Sequence, residues 1–220
     1  MVEYGFLQLP EGAEMKVYDI SMCISEDMMV YKNKPENKPV IRLQRSLPVE
    51  GANETRIELN VHTGTHVDAP FHMIQQGETI ESLDPGKLIT KCRVLDLTQV
   101  KDHIGEAELQ TRNIRKGDFI LFKTANSYDT VFNPEYVFLD SGGASYLASI
   151  GVAGVGTDSL GIERGQAGHE THNILMSQGV VIVEGLRLKD TEEGEYLLCV
   201  LPLKIAGADG APARAVLIRD

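Results

Sequence analysis

Residues 55–72 read T-R-I-E-L-N-V-H-T-G-T-H-V-D-A-P-F-H. Ile57, Leu59 and Val61 alternate with Arg56, Glu58 and Asn60, a period of two that predicts a half-buried strand. That strand delivers the chain to His62. Thr63-Gly64-Thr65 then breaks it, and the glycine permits a close backbone approach or an unusual dihedral. His62 and His66 stand four apart, as on a helix, but T-G-T is a poor helix. An irregular loop with both rings turned inward is expected instead. His66 and Asp68 are two apart, so on extended backbone they share a face. Pro70 stiffens the path to His72. Three of the chain's six histidines therefore sit in eleven positions around one aspartate. Imidazole with carboxylate suits Zn²⁺ or Mn²⁺. A local packing accident is the competing reading. Phosphate cradling is weaker, because no P-loop lysine follows.

Outward from this stretch the chain alternates short strands with few helices. KVYDISMCI (16–24), KCRVLDL (91–97), FILFKT (119–124), VAGVGTD (152–158) and VVIVEGL (180–186) read as strands, several of them buried. YLLCVLPLKI and a final AVLIRD supply more. EAELQTRNIR (106–115), the stretch closed by Gly151, and HETHNILMSQ (169–178) before Gly179 read as helices. Residues 32–39 and 45–55 are polar and read as loops. No internal repeat or linker stands out, so one α/β or α+β domain over residues 1–220 is expected.

Composition bounds the function. A chain of 220 residues with 42% hydrophobic residues can bury a substantial core. A net charge of -11 opposes nonspecific binding to nucleic acid or an anionic membrane surface. Three cysteines, widely spaced and without a CxxC pair, fit a reducing compartment, so a cytoplasmic protein is expected. MVEYGFLQLP lacks the basic start and apolar run of a signal peptide. No apolar run approaches 18 residues, so no transmembrane span is expected.

A metal site needs ligands from elsewhere in the chain. Glu184 is the lone charge in VVIVEGL. Buried and unpaired it would be costly, and coordination would remove that cost. An exposed strand end before Gly185 is the alternative. His169 and His172 flank a helix start, and His103 lies among charges in a solvated loop.

At these residues the chain resembles the cyclase-like metal-dependent hydrolases, which include bacterial kynurenine formamidase and isatin hydrolase. The family signature H-x-G-T-H-x-D-x-P-x-H stands here as His62-Thr-Gly-Thr-His66-Val-Asp68-Ala-Pro-Phe-His72. Asp19-Ile20-Ser21, the pair His172 and Glu184 twelve apart, and the ending LPLKIAGADGAPARAVL are similar as well. The resemblance implies a swivelling β/β/α fold with a mixed central sheet. It implies that His62, His66 and Asp68 bind one ion, Zn²⁺ or Mn²⁺. Asp68 and Glu184 would bridge to a second ion, with His172 its remaining side-chain ligand. It assigns His72 to proton transfer and implies a homodimer or homotetramer. The reaction implied is attack of activated water on an aryl formamide or related amide, with N-formylkynurenine as the model substrate. Asp158 resembles a family loop near the active site, where it would support a ligand histidine or else merely cap a turn.

The chain departs from the formamidases in two places. It has no Trp, and Tyr31 is the best stand-in for the Trp that packs on an aromatic substrate. Thr124-Ala125-Asn126-Ser127-Tyr128 replaces a T-G-W-like run, and Tyr128 faces either the pocket or the surface. Both changes fall where substrate contacts are expected. Hydrolysis or cyclisation of a cyclic imide, lactam or lactone is therefore the rival chemistry, and a non-catalytic metal- or ligand-binding module is the rival class.

Overall fold

A computed structural model describes residues 15–219. Its strands are β1 (Lys16–Asp19), β2 (Val40–Arg45), β3 (Glu54–Glu58), β4 (His66–Asp68), β5 (Ile89–Asp96), β6 (His103–Ile104), β7 (Phe119–Lys123), β8 (Phe138–Leu139), β9 (Gly154–Thr157), β10 (Val181–Glu184), β11 (Gly194–Pro202) and β12 (Gly210–Arg219). The helices are α1 (Glu106–Gln110), α2 (Ser141–Ile150) and α3 (Glu170–Ser177).

Eight strands form the main sheet in the order β1-β12-β11-β5-β7-β9-β10-β4. The β5-β7-β9-β10 run is parallel and the remaining pairings are antiparallel. The ten-residue β12 pairs with β11 along most of its length, and its first residues pair with β4. That last pairing closes the sheet into a mixed barrel. The expected mixed-sheet α/β domain is what the chain forms.

The barrel strands bury both faces. On β7, Phe119 and Leu121 enter the barrel interior with Val67, Val94, Val183 and Leu198. Ile120 and Phe122 point the other way, against Leu147 of α2 and Leu175 of α3. This explains why FILFK is continuously apolar rather than alternating. Helix α2 starts at Asp140, whose carboxylate accepts from Gly143 N at 2.7 Å, and stops at Gly151.

Three expectations need correction. The 55–61 strand is not part of the barrel. It ends at Glu58 and pairs with β2, within the span 40–45 that carries no clear strand signal, to make a separate hairpin. All of β3 is exposed, Ile57 to 51%. The period of two is real, but nothing in the described residues covers its apolar face. The helix expected over 106–115 stops at Gln110, and the strand expected over 16–24 stops at Asp19.

Candidate metal centre

The site lies where β4, β10 and α3 meet. β4 is three residues long and wholly buried. Its alternation sends Val67 into the barrel core and leaves His66 and Asp68 on the other face. The register on one side sets Glu184 opposite His66, and on the other sets Gly210 opposite Asp68. Glu184 is therefore a buried strand-end residue, 5% exposed, beside an imidazole. Helix α3 supplies His172 from above, also 5% exposed. The turn before β4 brings in His62, and the single 3₁₀ turn from Pro70 ends on His72.

Two glycines make this convergence possible. Gly64 has φ +69° and Gly185 has φ +70°. A Cβ on Gly185 would lie 2.3 Å from the Gly64 carbonyl oxygen. The end of β10 and the turn before β4 thus touch backbone to backbone. Thr65 fastens them: its hydroxyl donates to Gly185 O at 2.6 Å and accepts from Met22 N at 2.8 Å.

Asp68 is the hub of the cluster. One of its oxygens lies 3.0 Å from His62 Nδ1 and 3.3 Å from His66 Nε2, and the other 3.6 Å from His172 Nε2. Glu184 stands 3.3 Å from His66 Nε2 and 3.4 Å from His172 Nε2. Two of the rings are also held from behind by hydrogen bonds, and the third has a carboxylate close by. His62 Nε2 donates to Asp209 Oδ2 at 2.9 Å, and His66 Nδ1 donates to Gly64 O at 2.9 Å. His172 Nδ1 lies 3.2 Å from Glu163 Oε1. Metal-binding histidines characteristically have such partners behind them, fixing which nitrogen faces the ion.

The electrostatics point the same way. Two buried carboxylates need compensating positive charge. Without an ion, protons on the rings provide it. Burial disfavours the charged form of His66, but Asp68 and Glu184 override it and raise its pKa to about 10. His172 is raised against burial to about 12 by Asp68, Glu163 and Glu184. Burial and Asp68 push Glu184 up, yet His172 and His66 bring it down to about 2. His72 behaves differently. Burial outweighs its acidic neighbours and lowers its pKa, so this ring is neutral near pH 7.

The donor set fits a metal ion. His66 Nε2 and Asp68 Oδ2 are buried and receive no aligned hydrogen bond from the protein. His66, Asp68 and Glu184 place one donor atom each within 4.8 Å of one another. Mixed imidazole and carboxylate donors without a cysteine belong to catalytic rather than closed structural sites. Of the five expected ligands, Asp68 lies within 3.6 Å of His62, His66 and His172, and Glu184 within 3.4 Å of His66 and His172. His62, Asp68 and His72 meet the same distance test, so His72 stands at the edge of the donor set.

A cavity of about 570 Å³ opens onto the cluster. Its lining includes His62, His72, His172 and Glu184, and also the apolar or aromatic side chains of Val30, Tyr31, Met73 and Leu160. Tyr31 lines this cavity with its ring edge-to-face on Phe132 at 5.3 Å. The 124–128 run does not reach this cavity. Thr124, Asn126 and Ser127 are buried and Tyr128 is 58% exposed. Asp158 supports no ligand histidine either. Its carboxylate accepts from the Thr124 and Ser127 amides and hydroxyls and from Asn126 Nδ2, which pins that turn to the end of β9. His103 is half-exposed and pairs with Asp102, far from the cluster in its contacts. Asp209, Glu163 and Phe132 escaped the sequence reading. Glu163 carried a usable signal, an acid in an otherwise apolar S-L-G-I-E run.

Fold and site together define a mixed-barrel α/β domain with a buried imidazole–carboxylate cluster suited to a metal ion, opening onto a cavity of mixed lining. The chain belongs to the putative cyclase family, whose sequence model matches residues 18–164. A kynurenine formamidase from Salinibacter ruber is 32% identical, the match covering 92% of this chain and 97% of that one. A solved structure described as a potential metal-dependent hydrolase with cyclase activity is 47% identical, with a TM-score of 0.88 over 94% of this chain and all of that one. Isatin hydrolase A from Labrenzia aggregata shares the fold, with a TM-score of 0.79 at 19% identity and 93% of each chain covered. Among the described residues no helix is long and apolar enough to cross a membrane.

Proposed function

We propose that the protein is a metal-dependent hydrolase that cleaves the carbon–nitrogen bond of an aryl formamide or a related amide. His62, His66, Asp68, His172 and Glu184 would hold one or two Zn²⁺ or Mn²⁺ ions. A bound ion of this kind lowers the pKa of water toward neutrality and polarises a carbonyl oxygen. The observation that carries the reading is Asp68, which touches all three ligand imidazoles while a neutral fourth, His72, sits beside them.

The residues divide the work. Tyr31, backed by Phe132, offers an aromatic face for a planar substrate in the cavity. Val30, Met73 and Leu160 are apolar parts of its lining and exclude water there. His72 is uncharged and can take a proton from the attacking water. It can then return that proton to the departing nitrogen, as general base and then general acid. A neutral imidazole with a pKa below its usual value suits the first of these steps near pH 7.

The formamidase relative supports the choice of an aryl formamide. The altered 28–34 segment, without Trp, supports a narrower or differently shaped substrate. Purified protein loaded with Zn²⁺ or Mn²⁺ is expected to hydrolyse N-formylkynurenine or a simple formanilide. Turnover of cyclic imides, lactams or lactones in preference would move the substrate class and leave the metal chemistry in place. Binding of metal with no turnover of either panel would overturn the enzymatic reading.

The working form is a homodimer or homotetramer in the cytoplasm. The exposed hairpin supports assembly, since Leu43, Leu47, Val49 and Ile57 are 51% to 89% exposed along it. The three cysteines are free, as a reducing compartment would leave them. Sedimentation of the purified chain tests the assembly directly.

A further inference from the structure

Asp209 is not one of the five donors, yet a single oxygen of its carboxylate reaches two rings of the cluster. Oδ2 accepts from His62 Nε2 at 2.9 Å and lies 3.2 Å from His72 Nδ1. The two rings lie close together, their centroids 4.1 Å apart. Asp209 is itself firmly placed. Its carbonyl accepts from Ala69 N at 2.9 Å, and the next residue, Gly210, pairs with Asp68. The acid is therefore carried on the same strand junction as Asp68, although 141 positions separate Asp68 from Asp209.

We propose that Asp209 is a positioning residue for the reaction, acting through His72. A neutral imidazole has one N–H and one lone pair. Donation from Nδ1 to Asp209 leaves Nε2 as the basic nitrogen, and Nε2 makes no hydrogen bond among the described residues. The ring borders the substrate cavity, so the free nitrogen is the one available to water and to the leaving group. Without the carboxylate, both tautomers become accessible and the ring is free to turn. Because the same oxygen holds His62, the proton carrier is also kept in fixed register with a metal ligand. This inference rests on the reading of His72 as the proton carrier.

The test compares zinc-loaded wild type with Asp209→Ala, Asp209→Asn, His72→Ala and the Asp209→Ala/His72→Ala double variant. Asp209 is partly exposed, so the single variants should fold, and a thermal melt checks that. Nitrogen-15 NMR of labelled histidines reads the tautomer, with the His72 signals assigned by their loss in His72→Ala. Wild type is expected to show His72 protonated at Nδ1, and Asp209→Ala to show a mixture or Nε2 protonation. With an aryl formamide, Asp209→Ala should lower kcat about 10- to 100-fold with zinc content and KM nearly unchanged. The double variant should be no slower than His72→Ala. Losses that multiply in the double variant would overturn the proposal. So would a kcat that falls only in step with zinc content, which would place the effect on His62, or an unchanged His72 tautomer in Asp209→Ala. If wild type turns over no aryl formamide, the proposed reaction fails, while the NMR comparison still decides the role of Asp209.

Discussion

Replacing Gly185 with alanine should damage the fold and the metal centre together. The residue has φ +70°, and a side chain in the left-handed region costs about 1–2 kcal/mol. The added Cβ would also meet the Gly64 carbonyl oxygen at 2.3 Å and the Gly64 carbonyl carbon at 2.7 Å. Ordinary contact begins near 3.4 Å, so the two segments must separate by about 1 Å. They are not free to do so. Gly185 N donates to Ser159 O at 2.7 Å, and Thr65 donates to Gly185 O at 2.6 Å. Overpacking of this kind costs about 1–3 kcal/mol. Together the two effects amount to roughly 2–5 kcal/mol. In urea, with a slope of about 2–3 kcal/mol/M, the midpoint of the metal-free protein should fall by about 1–2 M. Gly207→Ala is the control, because Gly207 has φ +72° and open space around it. It bears the dihedral cost alone, so its midpoint should fall by only about 0.3–1 M. Metal affinity should drop for Gly185→Ala and hold for Gly207→Ala, since only the first displaces Glu184 from His66. Equal midpoints for the two variants would refute the contact argument.

Metal binding should release protons. His66 and His172 are held protonated by their carboxylates, with pKa values near 10 and 12, and both must lose a proton to coordinate. Calorimetry in buffers of different ionisation enthalpy at pH 7 should therefore register release of about two protons per cluster filled; release of none would show that the rings are already neutral. The stability of the metal-free protein follows from the same shifts. The raised His66 and His172 contribute below about pH 6.5 and lose that contribution as pH rises toward 10, whereas the lowered Glu184 contributes above about pH 4.5 and loses it as pH falls toward 2. Melting temperature should thus peak between about pH 4.5 and 6.5 without metal and decline on both sides, and a rise from pH 6.5 to 9 would contradict the assigned ion pairs. His72→Ala should lower kcat at least about 100-fold while metal content stays within error; parallel loss of metal would make His72 a ligand.

The site was more legible than its surroundings. His62, His66 and Asp68 could be read because sheet alternation and a tight turn follow from spacing alone. Glu184 could be read because a charge inside an apolar strand has few inexpensive explanations. Glu163 left a weaker signal of the same kind, an acid closing the S-L-G-I-E run. Asp209 left none: it is an acid among ordinary turn residues, and only strand pairing brings it to the rings. The β2–β3 hairpin shows the limit of periodicity. Alternation of Ile57 and Leu59 with charged residues marks extended backbone, but it does not say what covers the apolar side. Asp158 shows a related limit. A buried acid near a site can be entirely occupied by a local turn, and its five hydrogen bonds with Thr124, Asn126 and Ser127 do that here.

Anomalous scattering from crystals grown with Zn²⁺ or Mn²⁺ would locate the ion without reference to any substrate. The expected result is density between Asp68, His66 and Glu184, with His62 and His172 completing one or two coordination shells. An ion seated instead among Glu163, His169 and His172, the other donor set within 4.8 Å among the described residues that lacks Asp68, would contradict the assignment, as would crystals in which no ion binds at all.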